Sequence, residues 1–384
     1  MMSKVNNKLW FQLHGWCSLP VWVLICFICL SGTVAVVSHE ITWLTNTDAR
    51  AQSENGEPAI SPAKAVAIVE QAYPTADVTG VAVRESYLTY TVMFTDTGKP
   101  FALAYVNQYN GDIQEVNDGN TFINFMRSLH GWLLFPWQHS YSIGYYLVGL
   151  MGFFMLGALI TGLMVYKKFW RAFTQPTLRT QQGTKTLLTD LHRLAGAWSI
   201  WFLLIMSLTG AWYFIQGALW HGGVEVEPYP SAFSADLLPQ GEQNNQAASL
   251  DDALAITQQQ FPDFIPSYIA LPEHNRDTYK ISGHGDFLFF DDLSYRVAVN
   301  PWNGVVQSKF SPATMTPLQT ISHLVDPLHY GTIGGIWTKV IWFIFGILIT
   351  AMSITGFIMW RMRLVQATKK RRETLAATTY SEAK

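Results

Sequence analysis

Long apolar runs alternate with polar segments along this chain. Four windows are apolar and close to the roughly 20 residues that a helix needs to cross a bilayer: residues 17–38, 143–166, 195–219 and 337–360. The first window could be taken for a secretory signal, but its apolar stretch is longer than a typical signal core and no clear small-x-small cleavage site follows it. We therefore expect four retained transmembrane helices.

The two long polar segments repeat one pattern of elements. SPAKAVAIVEQAYP (61–74) parallels SLDDALAITQQQFP (249–262), and each is an apolar-periodic helix that ends at an aromatic-Pro pair. AYVNQYNGDIQEV (104–116) parallels VAVNPWNGVVQSK (297–309), and in each an Asn-Gly turn joins two alternating strands. Each polar segment therefore predicts one small α+β module.

The apolar helices show the same duplication. The distance from His14 to Gly32 is 18 residues, and the distance from His192 to Gly210 is also 18 residues. The second and fourth helices both carry a Thr-Gly pair. The predicted fold class is an α-helical membrane protein whose four transmembrane helices form two parallel repeats, related by an axis along the membrane normal, with two extracytoplasmic α+β modules.

Eight segments follow from this pattern. In chain order they are an N-terminus with the first transmembrane helix (1–40), the first module (41–128), a Leu-His segment with the second helix (129–166), a basic loop (167–193), the third helix (194–220), the second module (221–322), a Leu-His segment with the fourth helix (323–360) and a basic tail (361–384).

Composition and charge support a membrane protein and give its orientation. The chain is 49% hydrophobic and 14% charged, which is on the apolar side of a soluble protein. Residues 1–16, 167–193 and the tail after 360 hold 15 of the 25 Lys and Arg residues. Because basic loops stay inside, we expect both termini in the cytoplasm and the two modules outside. The net charge of −2 argues against a nucleic-acid partner.

The three cysteines, Cys17, Cys26 and Cys29, all fall in the first apolar window. Cys26 and Cys29 have CxxC spacing but lack the strand and helix context of a redox motif. We interpret them as small apolar packing residues.

Four histidines follow a leucine near the start of an apolar window. The tetrapeptide LHGW places His14 and His130, and the pairs Leu-His at 191–192 and 328–329 place His192 and His329. With the predicted topology, His14 and His192 lie on the cytoplasmic side and His130 and His329 on the outer side. Ionisable residues at membrane depth are costly, which favours a functional role.

Several of these features together resemble one known family. The helix plus Asn-Gly hairpin modules look like PepSY domains, and LHGW, the Thr-Gly pairs and the closing DPLHYGTIGG…TGFIMW resemble the PepSY-associated transmembrane proteins over nearly the whole chain. The two-module, four-helix layout is similar to inner-membrane ferric-siderophore reductases, which are di-haem b proteins. The resemblance implies a multi-pass protein of the bacterial inner membrane, two haem b groups, and a ferric siderophore or other ferric chelate as acceptor.

Two neutral imidazoles from opposite sides are the usual ligands of a low-spin haem b. The expected pairs are His14 with His192 for the inner haem and His130 with His329 for the outer haem. His39 is an alternative outer ligand, because it lies 25 residues after His14, on the same face of a continuous helix. Zinc or copper is the rival metal, although two histidines per side leave a tetrahedral site incomplete. No catalytic side chain is expected, since the haem carries the chemistry.

Other functions stay open at this point. The chain has no Walker A loop, Rossmann fingerprint, HExxH motif or nucleophile elbow, so the electron donor would be a separate cytoplasmic reductase or a membrane quinol. The main alternative is a cofactor-free membrane scaffold or regulator whose PepSY-like modules bind a protein partner. A transporter is a third possibility. His139, His221, His274, His284 and His323 are interpreted as surface, loop or supporting residues.

Overall fold

The computed structural model describes residues 4–51, 58–227, 232–234, 238 and 248–382. The chain divides into two compact units. The helical unit comprises Met1–Val36, Met126–Gly217 and Ile336–Lys384, and the sheet unit comprises Val37–Phe125 and Ala218–Gly335.

In chain order the helices are α1 (Lys4–Ser18), α2 (Trp22–Val36), α3 (Ser38–Thr45), α4 (Pro62–Ala72), α5 (Phe122–Trp132), α6 (Ile143–Val165), α7 (Phe169–Thr174), α8 (Thr184–Trp198), α9 (Ile200–His221), α10 (Leu250–Gln260), α11 (Pro317–Tyr330) and α12 (Gly335–Glu382). The strands are β1 (Asp77–Ala82), β2 (Tyr90–Asp96), β3 (Lys99–Val106), β4 (Ile113–Asn117), β5 (Ile265–Ala270), β6 (Tyr279–His284), β7 (Tyr295–Val299) and β8 (Val306–Phe310).

Three helices, α6, α9 and α12, are long and apolar enough to cross a membrane. The first predicted window differs from a straight span, because Asn7–Ser18 and Trp22–Val36 meet at a bend of 62°. Pro20 lies in the break, where it lacks an N–H to donate and disfavours helical geometry at the preceding residue. The described chain therefore has three candidate spans, or four if the bent pair counts as one.

Small residues bring the long helices of the helical unit into contact. A Cβ atom on Gly152 of α6 would overlap the backbone of Ala211 in α9, and a Cβ atom on Gly346 of α12 would overlap the side chain of Thr33 in α2. Apolar helices associate closely where such residues line the interface. The helical unit thus joins α6 to α9 and α2 to α12.

One antiparallel sheet forms the centre of the sheet unit. Its strand order is β4-β3-β2-β1-β5-β6-β7-β8, so two four-stranded halves meet where β1 pairs with β5. One helix of each half, α4 or α10, packs on the same face of the sheet, and both helices contribute to a single apolar core. The two polar segments therefore join at the β1–β5 pair, which no local pattern predicts.

The predicted Asn-Gly turns are present in both halves. Gly111 and Gly304 have φ values of 83° and 68°, and they lie in the β3–β4 and β7–β8 turns. Left-handed backbone of this kind favours glycine, which explains its place in both turns.

Candidate functional site

His14 of α1 is anchored to the span α6. Its Nδ1 lies 3.0 Å from the carbonyl oxygen of Ala158 and 3.2 Å from the hydroxyl oxygen of Thr161. A carbonyl can only accept, so Nδ1 carries the proton and donates it. The Thr161 hydroxyl donates in turn to the Gly157 carbonyl at 2.6 Å and is thereby fixed.

His192 of α8 makes the same contacts with α12. Its Nδ1 lies 3.1 Å from the carbonyl oxygen of Met352 and 3.1 Å from the hydroxyl oxygen of Thr355. The Thr355 hydroxyl donates to the Met352 carbonyl at 3.0 Å. Two histidines 178 positions apart in the chain are therefore held by equivalent pairs of acceptors, each pair being a carbonyl and the hydroxyl three residues later.

A glycine completes each of these contacts. A Cβ atom on Gly162 would lie 3.4 Å from Cε1 of His14, and one on Gly356 would lie 3.3 Å from Cε1 of His192. Each imidazole thus packs on its helix at the glycine that follows the threonine. We call this combination of a carbonyl, a hydroxyl three residues later and the next glycine an imidazole seat.

The seats determine which ring nitrogen is available. A neutral imidazole protonated at Nδ1 has its lone pair at Nε2. Within the described residues, no hydrogen bond involves Nε2 of His14 or of His192. A backbone carbonyl on one nitrogen and a free lone pair on the other is the usual state of a metal-ligating histidine.

Electrostatics link His14 and His192. The pKa of His192, which lies in α8 outside the candidate spans, is lowered to about 4, first by burial and then by the charge of His14. Arg193 and Arg363 lower it further. His14 is therefore close enough to His192 to influence its ionisation, and two arginines place positive charge in the same region.

His130 occupies a third seat within the helical unit. Its Nδ1 lies 3.3 Å from the Ser31 hydroxyl oxygen, and its ring is also hydrogen-bonded to the Ile28 backbone. A Cβ atom on Gly32 would lie only 2.6 Å from Cε1 of His130. The acceptor spacing in α2 therefore matches that in α6 and α12, with a closer approach at the glycine.

The other two predicted ligands belong to the sheet unit. His329 is in the last turn of α11, which is capped by Gly331, and its ring makes an edge contact with Tyr330 at 5.9 Å. His39 of α3 has Nδ1 at 2.8 Å from both carboxylate oxygens of Glu85. The continuous helix that would align His39 with His14 is interrupted at the bend before α2, so that argument for His39 is wrong.

The structure corrects the interpretation of His323 as a surface or supporting residue of an outer connection. Its side chain is 1% exposed, with Nδ1 at 2.8 Å from Asp291 and Nε2 at 3.1 Å from Glu227. His323 therefore belongs to a buried polar cluster of the sheet unit.

In the sequence, the Ser/Thr-Gly pairs marked the duplication of the helices, and nothing connected their hydroxyl groups to the histidine rings. The available signal was their presence once in each apolar window, at 31–32, 161–162, 209–210 and 355–356. Across the described residues, no group of three or more His, Cys, Asp or Glu side chains is arranged to hold a bare metal ion.

Comparison with known proteins gives one family. A search of curated proteins finds no match. The family model of the PepSY-associated TM region matches residues 11–363, a range that contains α2 to α11, all four Leu-His histidines and all three seats. The chain therefore belongs to the family of the PepSY-associated TM region.

Proposed function

We propose that this protein is a transmembrane haem b oxidoreductase that carries electrons from the cytoplasmic side to an acceptor on the outer side, with a ferric siderophore as the preferred acceptor. Its place would be the bacterial inner membrane, with four passes and both termini in the cytoplasm. The basic segments 1–16, 167–193 and the tail after 360 support this orientation.

The observation that carries the proposal is the pair of equivalent seats for His14 and His192. Both rings donate from Nδ1 to a backbone carbonyl and a threonine hydroxyl. A histidine that served only to anchor a helix end would not need the same tautomer, acceptors and glycine in two distant parts of the chain. A ligand pair does, because both lone pairs must face one metal atom.

The residues of the inner site suit haem b. His14 and His192 would be the two axial ligands, and bound haem would supply one-electron transfer at a potential set by its ligands and surroundings. Thr161 and Thr355 fix the ring planes through their hydroxyl groups. The charges of Arg193 and Arg363 near His192 suit the carboxylates of the haem propionates.

The outer site rests on the sequence repeat and on one seat. His130 is oriented by Ser31 and Gly32, and the repeat assigns His329 as its counterpart, with His39 as the alternative. These residues would hold the second haem.

A ferric siderophore suits an outer acceptor for a chemical reason. Hard oxygen chelators bind Fe³⁺ tightly and Fe²⁺ weakly, so one electron releases the iron and no side chain has to act as acid or base. The donor would be a membrane quinol or a separate cytoplasmic reductase.

The visible spectrum of the purified protein tests the proposal. With haem supplied during expression, we expect a Soret band and split α and β bands after dithionite reduction. His14→Ala and His192→Ala should each abolish the inner haem, whereas His274→Ala, at an exposed loop position in the sheet unit, should leave the spectrum unchanged.

Activity needs a separate measurement. Membrane vesicles loaded with reductant inside should reduce an external ferric hydroxamate, detected with a ferrous-specific chelator, and His14→Ala should abolish this signal. A colourless wild-type preparation would refute the haem assignment and favour the scaffold alternative. A coloured protein that does not reduce ferric chelates would refute only the acceptor.

A further inference from the structure

The β6–β7 loop, residues 285–294, exposes apolar side chains. Its sequence is GDFLFFDDLS, and Phe287, Leu288 and Phe289 are 55%, 65% and 45% exposed. The corresponding β2–β3 turn of the first half is short and polar, with the exposed Thr97 and Gly98 at its tip. The second half of the sheet therefore carries an apolar loop where the first half has an ordinary turn.

This apolar loop is firmly held at its base. The Asp291 N–H donates to the carbonyl oxygen of His323 at 3.0 Å, and Nδ1 of His323 lies 2.8 Å from the Asp291 carboxylate. Within the loop, the Phe287 ring packs on Phe290 with centroids 4.8 Å apart. The loop is thus attached to α11, and its apolar side chains are presented by an ordered backbone.

Strand alternation shows on which face of the sheet α11 lies. Val297 and Val299 of β7 belong to the core beneath α10, so Arg296, the neighbour of Val297 in the strand, points to the opposite face. Phe310 pairs directly with Arg296 and shares its face, and the Phe310 ring lies 5.4 Å from His323. The anchor of the apolar loop is therefore on the face opposite α10.

The first half of the sheet has the same arrangement. Ala104 and Val106 of β3 belong to the core that α4 joins, whereas Tyr105 points to the opposite face and packs with Trp43 of α3. α3 follows α2 in the chain, and α11 leads into α12. α3 and α11, which lie on the same face of the sheet, are thus the neighbours in the chain of the candidate spans α2 and α12.

We propose that the apolar loop inserts into the interfacial layer of the lipid bilayer and so holds the sheet unit against the membrane surface. Exposed Phe and Leu side chains on a loop attached to α11, a few residues before the span α12, are suited to the boundary between headgroups and acyl chains. The carboxylates of Asp286 and Asp292 flank these side chains, so anionic headgroups would repel the loop. Insertion should depend on apolar area and not on lipid charge, and it does not depend on the proposed function.

A fluorescent reporter on the full chain in nanodiscs tests this inference. In a background with Cys17→Ser, Cys26→Ala and Cys29→Ala, Leu288→Cys is labelled with nitrobenzoxadiazole, and Thr97→Cys is the matched control on the corresponding turn. In phosphatidylcholine nanodiscs, lipids with a shallow doxyl group should quench the Leu288→Cys probe at least about twofold more than the control, since interfacial segments lie about 5–10 Å into the headgroup region. Adding phosphatidylglycerol should not increase the quenching.

Hydrogen exchange on the unmodified chain gives a second measurement that needs no cysteine-free background. Amides of 287–290 should exchange more slowly in nanodiscs than in amphipol, while those of 96–99 should be unchanged. Equal doxyl quenching at both probe positions, or equal exchange of 287–290 in both media, would overturn the inference. The inference would also be overturned if a ferric chelate slowed amide exchange of the loop in amphipol while lipid did not, since the loop would then contact substrate.

Discussion

Replacing Gly32 with alanine is a sharp test of the imidazole seats. The new Cβ atom would lie 2.6 Å from Cε1 of His130, whereas carbon atoms in contact are separated by about 3.5–4.0 Å, so the overlap is about 1 Å. Overpacking of this kind costs about 1–3 kcal/mol. The ring cannot move away without losing its hydrogen bonds to Ser31 and to the Ile28 backbone.

The same substitution at Gly162 is the matched control. There the new Cβ atom would lie 3.4 Å from Cε1 of His14, which is an ordinary contact. A Cβ atom on Gly356 would lie slightly closer, 3.3 Å from Cε1 of His192. Alanine in a helix interior is favoured over glycine by about 1 kcal/mol, so Gly162→Ala should be neutral or stabilising. At Gly32 the energetic cost of the overlap should exceed this gain in helix stability, and the new Cβ atom should displace the His130 ring.

Two measurements separate packing from cofactor binding. Thermal unfolding in detergent should give a lower Tm for Gly32→Ala than for wild type, and a Tm at or above wild type for Gly162→Ala. The ratio of haem to protein should fall by about one equivalent only in Gly32→Ala, because a displaced axial ligand no longer holds its haem. If Gly32→Ala matches Gly162→Ala in both Tm and haem content, the seat around His130 is wrong.

Three further changes test other parts of the structure. Thr355→Val removes a hydroxyl that accepts from His192, while the Met352 carbonyl still accepts, so we expect full haem content with a shifted midpoint potential in a redox titration. Thr355→Ser should restore the wild-type potential. An unchanged potential in the valine variant would contradict the orienting role of the Thr355 hydroxyl. Arg363→Gln removes positive charge near His192 and should lower the inner midpoint potential, whereas a rise or no change would argue against a charge effect. Ser249→Ala removes the hydroxyl that accepts from the Asp252 N–H, which is one side of the α10 capping box. It should destabilise the sheet unit by about 1 kcal/mol in chemical denaturation, and an unchanged midpoint would contradict that account.

Local periodicity predicted the elements that depend on neighbouring residues. The windows 143–166 and 337–360 match α6 and the first part of α12, because an apolar run of that length favours a helix. The window 195–219 begins in the last turn of α8 and otherwise matches α9. The window 17–38 is bent because Pro20 interrupts its hydrogen bonding, a local signal that the hydropathy of the run concealed.

The candidate site was predicted in its residue type and less completely in its geometry. The offsets between His14 and Gly32 and between His192 and Gly210 pointed to paired histidines, and the charge of His14 contributes to the lowered pKa of His192. The sequence offsets gave no information on which hydroxyl groups would orient the imidazole rings. That depends on contacts between residues 147 and 163 positions apart, which no local pattern encodes.

The sequence by itself determined the apolar runs, the duplicated helix and hairpin patterns, the four Leu-His positions and membership of the family, because each is a matter of residue type and spacing. Only the tertiary structure decided that the two halves share one sheet through β1 and β5, that His323 is buried, and that the Ser/Thr-Gly pairs at 31–32, 161–162 and 355–356 receive imidazoles. The physical reason is that strand pairing, burial and side-chain hydrogen bonds join segments far apart in the chain. Their partners are chosen by the packing of the whole unit and not by any single stretch.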